Sequence, residues 1–155
     1  MSLVTAMATG TEVHSATIDG HGITSALSYQ VAEALRDAPA LLAETALDLV
    51  REGFEESREP DGFPWAEITH RQGKPLIDTA TLQNSWHVTH IGRHTFGIAA
   101  GVNYAHYHQL GTHNADGSQR IIPRKMVPDD GSPMPRAWEQ AFDADLQSLL
   151  EGALK

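Results

Sequence analysis

The chain has 155 residues, 41% of them hydrophobic, a formal net charge of −9 and no cysteine. That length suits one domain, which buries roughly 68–70% of the surface its unfolded chain exposes. The absence of cysteine excludes disulfides, thiolate zinc sites, iron–sulfur clusters and cysteine nucleophiles.

In chain order, residues 1–10 read as a flexible N-terminus, with Met1-Ser2-Leu3 as an expression leader and without the basic and apolar stretches of a signal peptide. Residues 11–18 have a loose period of two and predict a first strand, and Asp19-Gly20-His21-Gly22 a turn. Thr24 or Ser25 can cap a helix running to Arg36, with Leu27, Val31, Ala34 and Leu35 at helical spacing. Pro39 suits the first turn of a second helix over 39–57. One face of it carries Leu41, Leu42, Ala46, Leu49, Val50 and Phe54, and the other Glu44, Asp48, Glu52, Glu55 and Glu56.

Pro60 lacks an N–H donor and Asp61-Gly62 favours a turn, so this helix ends before them. Residues 62–81 look irregular, anchored by Trp65. From Leu82 the period changes to two: Leu82, Trp86 and Val88 share one side, then Gly92-Arg93-His94 turns the chain into Phe96, Ile98, Ala100 and Val102. This is a hairpin signal. Residues 104–110 fit either a strand or a short helix. Residues 112–135 read as an extended loop, and Trp138, Phe142, Leu146, Leu149 and Leu150 as a C-terminal amphipathic helix. The expected fold is a single α+β domain over 11–155, a small antiparallel sheet packed with two N-terminal helices and one C-terminal helix.

Charge is unevenly placed: residues 1–61 carry −8, residues 62–128 carry +3 and residues 129–155 carry −4. An acidic body repels a phosphate backbone, so direct nucleic-acid binding is not expected. No apolar run approaches the ~18 residues of a membrane span. The unlike acidic and basic regions suit contacts between copies or with another protein.

Three constellations bear on chemistry. Of nine histidines, seven lie between His70 and His113. His106-Tyr107-His108 on a strand would put two imidazoles on one face near His113, the start of a metal-dependent hydrolase site. As surface and interface groups, the same histidines would weaken assembly on acidification. Leu76-Ile77-Asp78-Thr79-Ala80 is similar to the active-site turn of dimeric aspartic proteases, where two carboxylates share a proton. The long helices, and the absence of the glycine of a later apolar-apolar-Gly strand at Arg120-Ile121-Ile122-Pro123, speak against that fold, and Asp78 then becomes a turn carboxylate accepting backbone N–H bonds. There is neither a Gly-x-Ser-x-Gly elbow nor a phosphate-binding glycine loop.

Four short blocks carry a resemblance. They are Pro60-Asp61-Gly62 with Trp65; Leu76-Ile77-Asp78-Thr79-Ala80-Thr81-Leu82; Tyr104-Ala105-His106-Tyr107-His108-Gln109-Leu110-Gly111-Thr112; and Ile122-Pro123-Arg124. In this order they resemble the phage virion-morphogenesis family, the tail-completion proteins of Mu-like phages and prophages, over about residues 12–150. Two departures are Ala80 in place of a glycine and one residue missing before Arg124. The resemblance implies a structural protein without catalytic residues, metal or cofactor. It implies action in tail completion or head–tail joining, in the host bacterial cytoplasm and then in the virion. The partners would be other copies in a ring and neighbouring tail or connector proteins, with no membrane contact. Arg120, Arg124 and Lys125 are the candidate partner contacts, on a loop expected to order only against a neighbour.

Overall fold

The computed structural model describes residues 4–9, 13–18 and 28–155. The turn expected at 19–22 and the caps expected at Thr24 or Ser25 lie outside the described residues. The fold is α+β. Strands β1 (Val4–Thr9), β2 (Val13–Ile18), β3 (Trp86–Ile91) and β4 (Thr95–Ala100) form an antiparallel sheet in the order β1-β2-β4-β3. Residues 4–9 are therefore a strand, where a flexible N-terminus was expected. Its alternation Val4, Ala6, Ala8 is too weakly apolar to stand out as a period-two signal.

Helices α1 (Ser28–Arg36) and α2 (Ala38–Glu56) precede the central hairpin, and α5 (Arg136–Ala153) closes the chain. Short helices α3 (Thr81–Asn84) and α4 (Ala105–Leu110) flank the β3–β4 hairpin. Leu82 thus belongs to α3 rather than to a strand, although its side chain still reaches the core. β4 stops at Ala100, before Val102.

Pro39 sits in the first turn of α2, where a missing N–H leaves nothing unsatisfied. The helix buries Leu42, Ala43, Ala46, Leu47, Val50 and Phe54, at the i, i+4 and i+8 spacing that makes one face. It ends at Ser57, whose φ of 55° lets the Arg58 N–H reach back to the Gly53 carbonyl at 3.0 Å. Arg58 then bridges Glu52 and Glu56, fastening the exit of the helix.

The core lies between α2, α5 and the β3–β4 hairpin. Phe96 of β4 meets Phe142 of α5 edge-on at 6.1 Å, and Trp138 packs edge-on against the same ring. Thr45 of α2 donates to Asp145 of α5 at 2.5 Å, pinning the two helices beside the apolar seam. Within β3 a bulge at Thr89 shifts the register between Val88 and His90.

Residues 112–135 also differ from expectation. They open with a small antiparallel hairpin, β5 (Thr112–His113) and β6 (Gln119–Ile121), rather than an unstructured loop. Its tip is closed by its own polar groups. Asn114 N–H donates to the Ser118 carbonyl at 2.8 Å, and the Asp116 carboxylate accepts from the Ser118 N–H and hydroxyl at 2.9 and 2.6 Å.

Ala80 accepts the left-handed conformation that glycine takes without penalty: its φ is 58°. The cost of αL backbone for an alanine is about 1–2 kcal/mol, against about 0.4–1 kcal/mol of extra unfolded-state entropy for glycine. Ala80→Gly is therefore expected to stabilise the fold by about 0.5–1 kcal/mol, read as a higher denaturation midpoint with an unchanged slope in urea.

Candidate functional site: a side-chain junction around residues 108–127

The turn after α2 places the first block. Pro60 presets the bend, the Gly62 N–H closes it on the Glu59 carbonyl at 2.8 Å, and Gly62 continues at φ 88°. The Glu59 N–H then pairs with the Phe63 carbonyl at 2.7 Å, and the Trp65 N–H with Ser57 at 2.8 Å. This brings the Trp65 ring edge-on to Phe54 at 5.3 Å. Its indole N–H donates to the Lys125 carbonyl at 2.9 Å.

The third block forms α4, which resolves the strand-or-helix ambiguity at 104–110. Gln109 is its buried residue. Its amide nitrogen donates to the Val127 carbonyl at 2.8 Å, and its amide oxygen accepts from the Met126 N–H at 2.8 Å. One side chain thus serves a donor and an acceptor of an irregular backbone segment. Gly111 follows at φ 71°, and a Cβ there would sit 2.7 Å from the Ile121 carbonyl oxygen and 2.9 Å from Pro123. Only a glycine lets the two segments run this close. The Arg124 N–H completes the pairing on the His108 carbonyl at 2.7 Å.

Arg124 is buried, and its guanidinium donates to the Ala66 and Glu67 carbonyls at 2.8 and 3.2 Å. It is therefore not a surface contact. Lys125 is half-buried and pairs with Asp129 in its own chain, which holds its ammonium pKa above the usual value through that hydrogen bond. Of the three expected partner contacts, only Arg120 is exposed. A charged residue beside a proline gives no sequence cue that backbone carbonyls wait for it.

The second block lines a cleft of about 300 Å³ beside this junction, with Asp78, Thr79, Leu82, Tyr104, His108 and Arg124 on its walls. Asp78 is exposed, and its carboxylate takes part in none of the hydrogen bonds of the described residues. The expected turn-capping role is therefore not seen there. Thr79 and Thr81 share a hydroxyl–hydroxyl bond of 2.6 Å instead. Arg71 holds the approach to this loop by donating to the Gln72, Lys74 and Ile77 carbonyls, each at 3.1 Å.

His106 and His108 lie on a helix, so two residues of separation turn them to different sides rather than to one face. The His106 ring lies tilted against Tyr107 with centroids 3.8 Å apart, whereas His108 meets Tyr104 edge-on at 6.1 Å. Among the described residues, no group of three His, Asp or Glu side chains is arranged to hold a metal.

The spacing of α4 also exposes what sequence reading missed. Tyr107 and Leu110, three residues apart, face outward at 47% and 67% exposure. Ile122, on the segment paired with α4 through Arg124 and His108, is 46% exposed. The i, i+3 spacing of Tyr107 and Leu110 was the available signal. No family model, curated protein or solved structure matches the chain.

Two outcomes follow for the junction. Gln109→Leu leaves the Met126 N–H and Val127 carbonyl unpaired, at about 1–3 kcal/mol for each buried group, so a loss of about 3 kcal/mol is expected in urea denaturation. Burial, and then the Arg124 charge, lower the His108 pKa. The unfolded chain therefore binds the extra proton more readily, and stability falls as pH drops through the ordinary histidine range near 6.5. His108→Gln is expected to reduce the loss of stability between about pH 7.5 and 5.5, measured by denaturation at the two pH values.

Proposed function

We propose that the chain is a structural protein of virion morphogenesis, acting in tail completion or head–tail joining through contacts between copies and with neighbouring tail or connector proteins. The observation that carries the reading is the outward strip Tyr107, Leu110 and Ile122 beside the β5–β6 hairpin. Tyr107 and Leu110 lie one helical turn apart, Ile122 lies on the segment bonded to that helix, and exposed large apolar groups of this kind, tyrosine prominent among them, are the anchors that protein contact sites use. The four blocks that resemble the phage family support it further. Trp65, Gln109, Gly111 and Arg124 hold backbone in place, a use that suits a scaffold for presenting that strip.

A ring needs heterologous contacts, in which one patch meets a different patch on the next copy. The exposed acidic side of α2, with Glu44, Asp48 and Glu55, differs in chemistry from the strip and supplies a second patch. Among the described residues no helix is long and apolar enough to cross a membrane. The proposed location is the host bacterial cytoplasm during assembly and the virion afterwards, with no catalytic residue and no cofactor. A hydrolase built on His106 and His108, or a protease built on Asp78, is the competing reading. The helical separation of the two imidazoles does not favour the first.

The test is Leu110→Asp combined with Ile122→Asp. The variant is expected to keep its circular dichroism and melting temperature but to sediment as a monomer where the parent chain self-associates. Phage made with it are expected to lack finished tails. Finished virions in normal yield from a folded double variant would overturn the reading.

A further inference from the structure

Arg124 is the one charged side chain among the described residues that is buried, at 8% exposure. The Ala66 and Glu67 carbonyls satisfy two of its donors, but they do not neutralise its charge. Arg71 is only partly buried, and its guanidinium likewise donates to backbone carbonyls, three of them, rather than to a carboxylate. Neither guanidinium forms an ion pair with a carboxylate of the described residues. Both line the cleft of about 300 Å³ described above, and among the described residues Asp78 is the only carboxylate on its walls.

A second, independent feature points the same way. The His108 Nδ1 is buried and meets no hydrogen-bond partner among the described residues. His108 itself is a wall residue of the same cleft, as are Thr79 and Thr81. A buried polar atom without a partner costs stability unless something fills the role. Of the other wall residues, Ile68, Leu76, Ala80, Leu82 and Tyr104 are apolar or aromatic and His70 is polar.

We propose that this cleft binds a carboxylate carried on a small apolar group. Two guanidinium charges against one Asp78 leave a surplus of one positive charge with the histidines neutral, which a monoanion balances. A dianionic phosphate would overcompensate and face Asp78. The apolar walls take the organic part of the ligand, as in most small-molecule sites. The inference does not rest on the assembly reading. A free carboxylic acid and the end of a peptide chain offer the same chemistry, and the test separates them.

The experiment is an amide-shift titration of the full chain by nuclear magnetic resonance. The probes are acetate, 3-methylbutanoate as a free acid, N-acetyl-leucine as a chain terminus, and inorganic phosphate. Saturable shifts at Thr79, Thr81, Tyr104 and His108 are expected, with the better of the two apolar carboxylates binding at least about tenfold tighter than acetate. Whichever of the two binds tighter identifies the source. The His108 imidazole, faced by Arg71, His70, Asp78, Tyr104 and Arg124, is expected to titrate at higher pH in the saturated protein.

Thr81 is exposed, so Thr81→Glu brings a carboxylate to the rim without disturbing the core. It is expected to weaken binding by about tenfold or more while the parent spectrum elsewhere is kept. Arg71→Gln is expected to do the same, provided its loop keeps its fold. The proposal is overturned by any of three results: no saturable shift up to about 50 mM carboxylate, phosphate binding tighter than every carboxylate, or unchanged affinity in folded Thr81→Glu.

Discussion

An irregular backbone segment buried without strand neighbours is the constraint around which this molecule is arranged. Arg124, Met126, Val127 and Pro128 are all buried, yet 122–128 belongs to no helix or sheet. Every backbone N–H and C=O taken out of water needs a partner. Here side chains stand in for a neighbouring strand. Gln109 serves Met126 and Val127, the Trp65 indole serves Lys125, and the His108 carbonyl serves Arg124. These partners come from segments some 60 and 18 residues away in sequence, so the segment also ties the turn after α2 to α4.

That arrangement divides the surface into two roles. The polar atoms of Gln109 and Trp65 point inward and serve carbonyls and amides of the chain itself, as do the Nε and Nη2 of Arg124. What α4 leaves outward is Tyr107 and Leu110, continued by Ile122. A helix of six residues is too short to be stable on propensity alone. Its inward bonds are what keep it formed, and so they also fix the outward strip. A surface held in this way would lose less conformational freedom on any association than one on a mobile loop.

The elements legible in the sequence were those with enough length to show a period. α2 and α5 carry apolar faces over several turns, and the β3–β4 hairpin alternates around Gly92. α4 was ambiguous because a six-residue element shows too little of a helical period. Leu82 fell into the wrong element because its side chain is buried from a helical turn in step with the strand that follows. The β5–β6 hairpin was hidden by its composition. Its short strands hold a single apolar residue, Ile121, beside Thr112, His113, Gln119 and Arg120, too few to show a period. Arg124 was misplaced on the surface because charged side chains are rarely buried, and the carbonyls that receive it lie 57 and 58 residues earlier.

The loop bearing Asp78 shows how the cleft keeps its shape. Leu76 and Ala80 both hold positive φ, at 60° and 58°, in positions that glycine would occupy without strain. A bulky residue in that conformation persists only where its surroundings over-determine it. The surroundings are present. Leu76 packs against the core, Arg71 draws three carbonyls of the loop together, and Lys74 donates to the Glu55 carbonyl at the end of α2 at 2.6 Å. Replacing Leu76 by glycine would relieve the backbone but remove an apolar wall of the cleft and a contact with the core. Strain at Leu76 is therefore the consequence of packing the side chain where it is, and the same packing sets the distance across the cleft between this loop and α4.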